Sequence, residues 1–216
     1  MKVFVWDLPQ RLFHWLLAAM VVGCFVSAEM GGNAMDWHAR FGFAVLALMI
    51  FRLSWGFFGG TYARIQNFLT ALRALPAWWR NGPVPSAGYT PPGSVALIVM
   101  FLLLWGQAFS GLFANDDVML EGPLYHLVAQ RTADWLTAWH KRGFYLLGGM
   151  VLLHVSAIFY YRIVKRIDYI RPMITGYKLL PDDTPPALQG RPGSLPLALL
   201  LAAASSGAVW YLVTQL

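Results

Sequence analysis

The stretch His140-Lys-Arg-Gly-Phe-Tyr-Leu-Leu-Gly-Gly-Met-Val-Leu-Leu-His154 decides the fold. Two histidines bracket an apolar run. Their spacing is close to four helical turns, so both side chains leave one face, roughly 21 Å apart along the axis. A helix of this kind offers one metal ligand at each of two depths in a membrane. His14 and His38, in the first two apolar segments, are placed to supply the opposite ligands.

The composition supplies the membrane. The 216 residues are 58% hydrophobic and 12% charged, about half the charged share of roughly 25% usual in soluble domains. Five apolar runs approach the ~20 residues that cross a hydrocarbon core. They are Leu12 to Ala28, Trp37 to Phe58, Ser94 to Ala114, Lys141 to Tyr161 with His140 at its mouth, and Leu195 to Val213. None shows the alternation of barrel strands, and backbone groups in lipid must bond internally, so all five are expected to be helices. Arg11, His14 and Trp15 at the start of the first run argue against a cleaved signal peptide. The fold expected is an all-α membrane protein. A four-helix transmembrane bundle spans residues 1–176, a Pro-rich linker 177–194, and a fifth transmembrane helix 195–214.

Between helices two and three, Ile65, Phe68, Leu69, Leu72 and Leu75 fall at helical spacing, followed by Trp78 and Trp79. That pattern predicts a short helix lying in the interface. Gly82 to Gly93 is read as a loop. The fifth helix is simple in sequence from Leu197 to Ser206 and has no histidine or charge there. It is expected to pack outside the four-helix core.

Orientation follows from the basic residues. Lys2, Arg11, Arg64, Arg73, Arg80, Arg162, Lys165, Arg166, Arg171, Lys178 and Arg191 share one side. Arg40, Arg131, Lys141 and Arg142 share the other with Glu29, Asp36, Asp116, Asp117, Glu121 and Asp134. The richer side is expected to be cytoplasmic, which places the N-terminus inside and the C-terminus outside. The net charge of +6 is therefore a topology signal. No basic patch suited to nucleic acid is present. Cys24 is alone and no C-x-x-C-H or cysteine cluster occurs, which excludes covalent haem attachment and an iron–sulfur centre held by this chain.

Read by depth, His14 and His154 share the inner level, and His38 and His140 share the outer one. Two imidazoles at each of two levels is what two bis-histidine haems b require. Intramembrane ionisable residues are functional by default, and four that pair by level are hard to explain as isolated helix-end polar groups. His126, in the outer loop, reads as a surface residue. Gly148 and Gly149, midway between the helix-four histidines, suit either a flat ring or close helix packing. Arginine pairs with carboxylates such as haem propionates. Arg52, well inside an apolar run, is the foremost candidate. Arg11, three residues before His14, and Arg40, near His38, serve equally well as interfacial anchors. Trp6, Trp15, Trp37, Trp135 and Trp139 read as an aromatic belt.

The string Val5-Trp6-Asp7-Leu8-Pro9, followed by Arg11-Leu12-Phe13-His14-Trp15, resembles the opening of the bacterial cytochrome b561 and nickel-hydrogenase b-type cytochrome family. Asp36-Trp37-His38 with Gly42 resembles its second helix, and His140 with His154 its fourth; the likeness runs from about residue 3 to 175. The resemblance implies a four-helix bundle with two haems b, His14 paired with His154 and His38 with His140. It implies electron exchange between ubiquinone or menaquinone and a redox partner at the periplasmic face. The leading expectation is a dihaem conduit from the quinone pool to a periplasmic protein, with a c-type cytochrome as the partner expected. The acidic outer loop of Asp116, Asp117 and Glu121 suits a basic docking face. The alternative is a superoxide oxidase that passes electrons to ubiquinone, for which Arg40, Arg131, Lys141 and Arg142 would attract the anion. A proton-coupled transporter is the third reading, disfavoured by the scarcity of intramembrane acids. Arg11, Tyr160 and Tyr161 are candidate quinone contacts.

Overall fold

The computed structural model describes residues 1–82, 86–116, 120–180 and 189–215. In chain order the elements are β1 (Lys2–Phe4), α1 (Leu8–Met30), α2 (Met35–Phe58), α3 (Ile65–Arg73), α4 (Leu75–Asn81), α5 (Pro91–Gly111), α6 (Gln130–Ile163), α7 (Ile170–Thr175), β2 (Tyr177–Leu179) and α8 (Leu195–Gln215). Among the described residues, α1, α2, α5, α6 and α8 are long and apolar enough to cross a membrane. The all-α membrane architecture expected from hydropathy is present.

The ends of the helices differ from the hydropathy reading, for local reasons. α6 begins at Gln130, so His140 lies inside the helix and not at its mouth. The polar turn containing Gln130, Arg131, Thr132 and Asp134 is helical without being apolar, and hydropathy passes over it. α5 begins at Pro91, inside the stretch read as a loop. Thr90 Oγ1 accepts the Gly93 N–H at 3.2 Å, and prolines suit a first helical turn because its N–H groups have no partner there. Residues 83–85 of that stretch lie outside the described residues. The short helix expected between the second and third spans is there, divided into α3 and α4 at Ala74.

One compact unit comprises Met1–Phe13, Arg52–Val99 and Val151–Leu200. β1 and β2 pair antiparallel with Val3 opposite Lys178. The Gly176 carbonyl accepts the N–H groups of Val5 and Trp6 at 2.8 and 3.2 Å. Gly176 sits at φ 86° with Trp6 O only 2.8 Å from where a Cβ would stand, so only glycine fits. Val3, Val5, Tyr62, Ala87 and Leu180 form the core beneath this ribbon. Trp6 packs edge-on against Tyr89, with centroids 5.0 Å apart, and is no part of an exposed belt.

Asp7 organises the unit. It is 3% exposed. Its Oδ1 accepts the Gln10 N–H at 3.0 Å, which caps α1, and the Trp55 indole N–H at 3.2 Å. Its Oδ2 accepts the N–H groups of Gly60 at 3.0 Å and Gly193 at 3.2 Å. One carboxylate thus joins the start of α1, the end of α2 and the approach to α8. The segment read as a linker is tied at its described ends. Beyond β2, Gly190 donates to Phe4 O at 3.0 Å, and Arg191 O accepts the Thr61 N–H at 2.9 Å. Pro181, Pro185 and Pro186 lie outside the described residues.

The second unit comprises His14–Phe51, Met100–Met150 and Leu201–Leu216. Its core holds Leu46 from α2, Leu112, Phe113 and Leu124 from the α5–α6 connection, and Val209 from α8. Leu212 and Val213 pack on the same cluster. The fifth helix therefore buries one face in this core and is more than an outer appendage. Trp37, Trp135 and Trp139 are exposed, as a lipid-interface belt requires.

Candidate haem centre

His38 on α2 and His140 on α6 meet within the second unit. Their ring centroids are 5.9 Å apart and their planes are nearly perpendicular, at 89°. The His38 Nδ1 lies 2.9 Å from Cys24 O, and the His140 Nδ1 lies 3.0 Å from Gln107 O. A carbonyl oxygen only accepts, so both Nδ1 atoms carry the proton. In the neutral ring this tautomer leaves Nε2 free to ligate, with the other nitrogen anchored as second-shell partners anchor metal-bound histidines.

The cradle is built from small residues and backbone. A Cβ at Gly111 would stand 3.0 Å from the His140 Cε1, and one at Gly143 would stand 2.6 Å from the Gln107 Oε1. Glycine at both positions lets α5 and α6 approach closely enough for the Gln107 carbonyl to reach the ring. Ser110 adds a second contact, with Oγ 3.1 Å from the His140 Nδ1.

These residues fit a haem. An ion bonded by both imidazoles at about 2 Å would set the ring centroids roughly 6 Å apart, and they stand 5.9 Å apart. Perpendicular rings can both contain the line that joins them. Among the described residues no cluster of three or more His, Cys, Asp or Glu could hold an ion. An ion held by these two imidazoles would need its remaining positions filled by another group, as a haem macrocycle would do.

The remaining sequence candidates are placed as follows. His14 on α1 and His154 on α6 are each half-buried, and they fall in different units. Gly148 packs on Phe25, and Gly149 faces open space. Arg52 is 8% exposed and donates to the Tyr89 hydroxyl at 2.9 Å, so its charge has a partner within the protein. Burial raises the Tyr89 phenol pKa, and Arg52 opposes that rise. Arg11 donates through Nη1 to Ile174 O, and its buried Nε has no partner among the described residues. The exposed Arg40 lies over the Trp37 ring at 5.0 Å, the posture of an interfacial anchor. Tyr161 sits between Tyr160 and Tyr169, with centroids 5.8 and 5.4 Å away. His126 is exposed in a short turn, Tyr125–Leu127, and Asp117 lies outside the described residues.

A helical membrane chain with facing, tautomer-fixed imidazoles matches one family. Its model, prokaryotic cytochrome b561, covers residues 5–176. The chain belongs to the prokaryotic cytochrome b561 family. It is similar to the probable Ni/Fe-hydrogenase B-type cytochrome subunit of Azotobacter vinelandii, 27% identical across 85% of this chain and 91% of the relative. The corresponding hydrogenase 1 subunit of Escherichia coli K12 is 23% identical across 81% and 90%. That of Cupriavidus necator is 20% identical across 83% and 88%. No solved structure matches. As a cytochrome b561 the chain is a membrane electron-transfer protein that carries haem b. The family model ends at residue 176, so α8 lies beyond it.

Sequence reasoning missed Gln107, Ser110 and Gly111, which hold His140. A signal was available, since Gln107 and Ser110 are the polar side chains in the second half of an otherwise apolar helix.

Proposed function

We propose that the protein is a dihaem conduit carrying electrons between a membrane quinone and a redox protein at the periplasmic face of the inner membrane. His38 and His140 ligate one haem b, and His14 and His154 ligate the other. The observation that carries this reading is the 5.9 Å approach of His38 and His140 with both Nδ1 atoms turned to carbonyl acceptors. Haem iron supplies reversible one-electron chemistry. The chain's part is to fix the imidazoles, exclude water with the apolar core around Leu46 and Phe113, and span the bilayer.

The relatives' names support a Ni/Fe-hydrogenase as the first partner to test, and the acidic outer residues keep a c-type cytochrome beside it. The cytoplasmic placement of the N-terminus rests on the basic residues, of which Arg64, Arg73, Arg80, Arg162, Lys165 and Arg171 are exposed. One observation favours superoxide as an alternative electron donor. Arg40, Lys141 and Arg142, all exposed, flank the two outer histidines.

Haem extraction tests the ligand sets. Wild-type protein is expected to give about two haems b per chain, and H38A, H140A and their double variant one each. H14A and H154A are expected to remove the other. Two haems retained in H140A would refute the outer pair. In proteoliposomes, quinol-dependent reduction of added partner separates the conduit from a superoxide-consuming enzyme, whose turnover would fall steeply with salt.

A further inference from the structure

Ser110 is 5% exposed and touches the candidate ligand His140 from the α5 side. Three atoms lie within reach of its hydroxyl. Gly106 O is at 2.6 Å, Gln107 O at 3.3 Å and the His140 Nδ1 at 3.1 Å. A serine has one hydroxyl proton. The shortest contact takes it, so the proton points to Gly106 O. The Nδ1 is already a donor, because Gln107 O can only accept from it. The Ser110 oxygen is therefore left as an acceptor facing the His140 N–H. A hydroxyl that is itself donating is a stronger acceptor, because chained hydrogen bonds polarise one another. His140 Nδ1–H is thus shared between a carbonyl and a polarised hydroxyl. Among the described residues His38 shows one such acceptor, Cys24 O.

Resting on the reading of His38 and His140 as a haem pair, we propose that Ser110 is a positioning residue that sets the reduction potential of the outer haem through His140. The second acceptor draws the Nδ1 proton outward and raises electron density on the Nε2. A more basic axial imidazole favours the oxidised state of the iron it binds and lowers the potential. The contact also fixes the ring's rotation, together with the wall formed by Gly111. The α5 stretch Gln107-Ala108-Phe109-Ser110-Gly111 is then a single device, in which Gln107 supplies the carbonyl, Ser110 the hydroxyl and Gly111 the room.

The test is an equilibrium redox titration of purified wild type, S110A and S110T, with haem counted in each. Threonine keeps a hydroxyl that can bond back to the preceding turn. In S110A the haem count is expected to stay at the wild-type value. One of the two midpoint potentials should rise by about threefold in the reduction equilibrium, which is about 28 mV at 59 mV per tenfold for one electron. S110T should titrate like wild type. Loss of one haem in S110A with retention at wild-type potential in S110T also supports the role. Unchanged potentials in S110A, an equal shift in S110T, or haem loss in both variants would overturn it. Failure of the underlying reading looks different, because H140A would then keep both haems.

Discussion

Replacing Asp7 separates a buried organising carboxylate from an ordinary helix cap. Four donors converge on its two oxygens, Gln10 and Trp55 on Oδ1 and Gly60 and Gly193 on Oδ2. A hydrogen bond to a charged group contributes roughly 1.5–3 kcal/mol, and a buried donor left alone costs about 1–3 kcal/mol. Asparagine keeps one oxygen and turns an NH2 toward two N–H groups. D7N therefore loses two bonds and should cost about 3–5 kcal/mol, since neighbouring bonds in one network do not add fully. For a chain of this size that is a fall of roughly 10 °C in apparent melting temperature. D7A strands all four donors, a loss comparable to the whole stability of a domain, about 5–15 kcal/mol, and is expected not to accumulate. Asp168 is the control. It also takes two backbone N–H groups, those of Ile170 and Arg171 at 2.9 and 3.1 Å, but through a single oxygen. Asparagine caps as well as aspartate, so D168N should melt like wild type. Thermal unfolding in detergent, followed by tryptophan fluorescence, decides the matter. D7N melting within about 2 °C of wild type would refute the reasoning, which is scaled by the same stability-to-temperature conversion.

Lys178 is buried against Tyr169, donates to Ser86 O at 2.6 Å and has its pKa lowered to about 8 by burial. Below pH 8 the folded protein carries a buried charge at a cost of roughly 3 kcal/mol; between pH 8 and about 10.4 the folded state has lost a proton that the unfolded chain keeps, so stability rises with pH. The melting difference between wild type and K178M should therefore shrink or reverse from pH 8 to pH 10, and a flat difference counts against the buried amine. Arg166, three residues past α6, sits at φ 56°, a left-handed position that costs a non-glycine residue about 1 kcal/mol. R166G should raise the apparent melting temperature by about 2–4 °C, and a lower value would show that the arginine side chain contributes more than its backbone costs.

The parts of this molecule that were legible in its sequence are those whose physical cost is high. A histidine or an arginine in a hydrocarbon layer is expensive, so His14, His38, His140, His154 and Arg52 stand out against their neighbours without any structure. Depth along two helices puts His38 and His140 at one level in the sequence, and in the structure their rings meet. Arg52 shows where such reading stops. Cost alone says that a partner exists, and a tyrosine from the α4–α5 connection met that need without any signal in the arginine's own surroundings.

What stayed hidden is built from groups that cost little where they stand. A backbone carbonyl is present at every residue, so nothing in the letters marks Cys24 O or Gln107 O as the acceptors that fix two tautomers. A serine bonding back to its own helix is unremarkable, and Ser110 gains meaning only when α6 places His140 against it. The same holds for Asp7. In the sequence it stands two residues before a proline, and three of its donors arrive from residues 48, 53 and 186 positions away. The costly polar residues of this cytochrome are thus legible locally, while the contacts that hold them and the joining of the helix ends are written between distant segments. Substitutions at the histidines should therefore change how many haems are held, and substitutions at Ser110 should change how the outer one behaves.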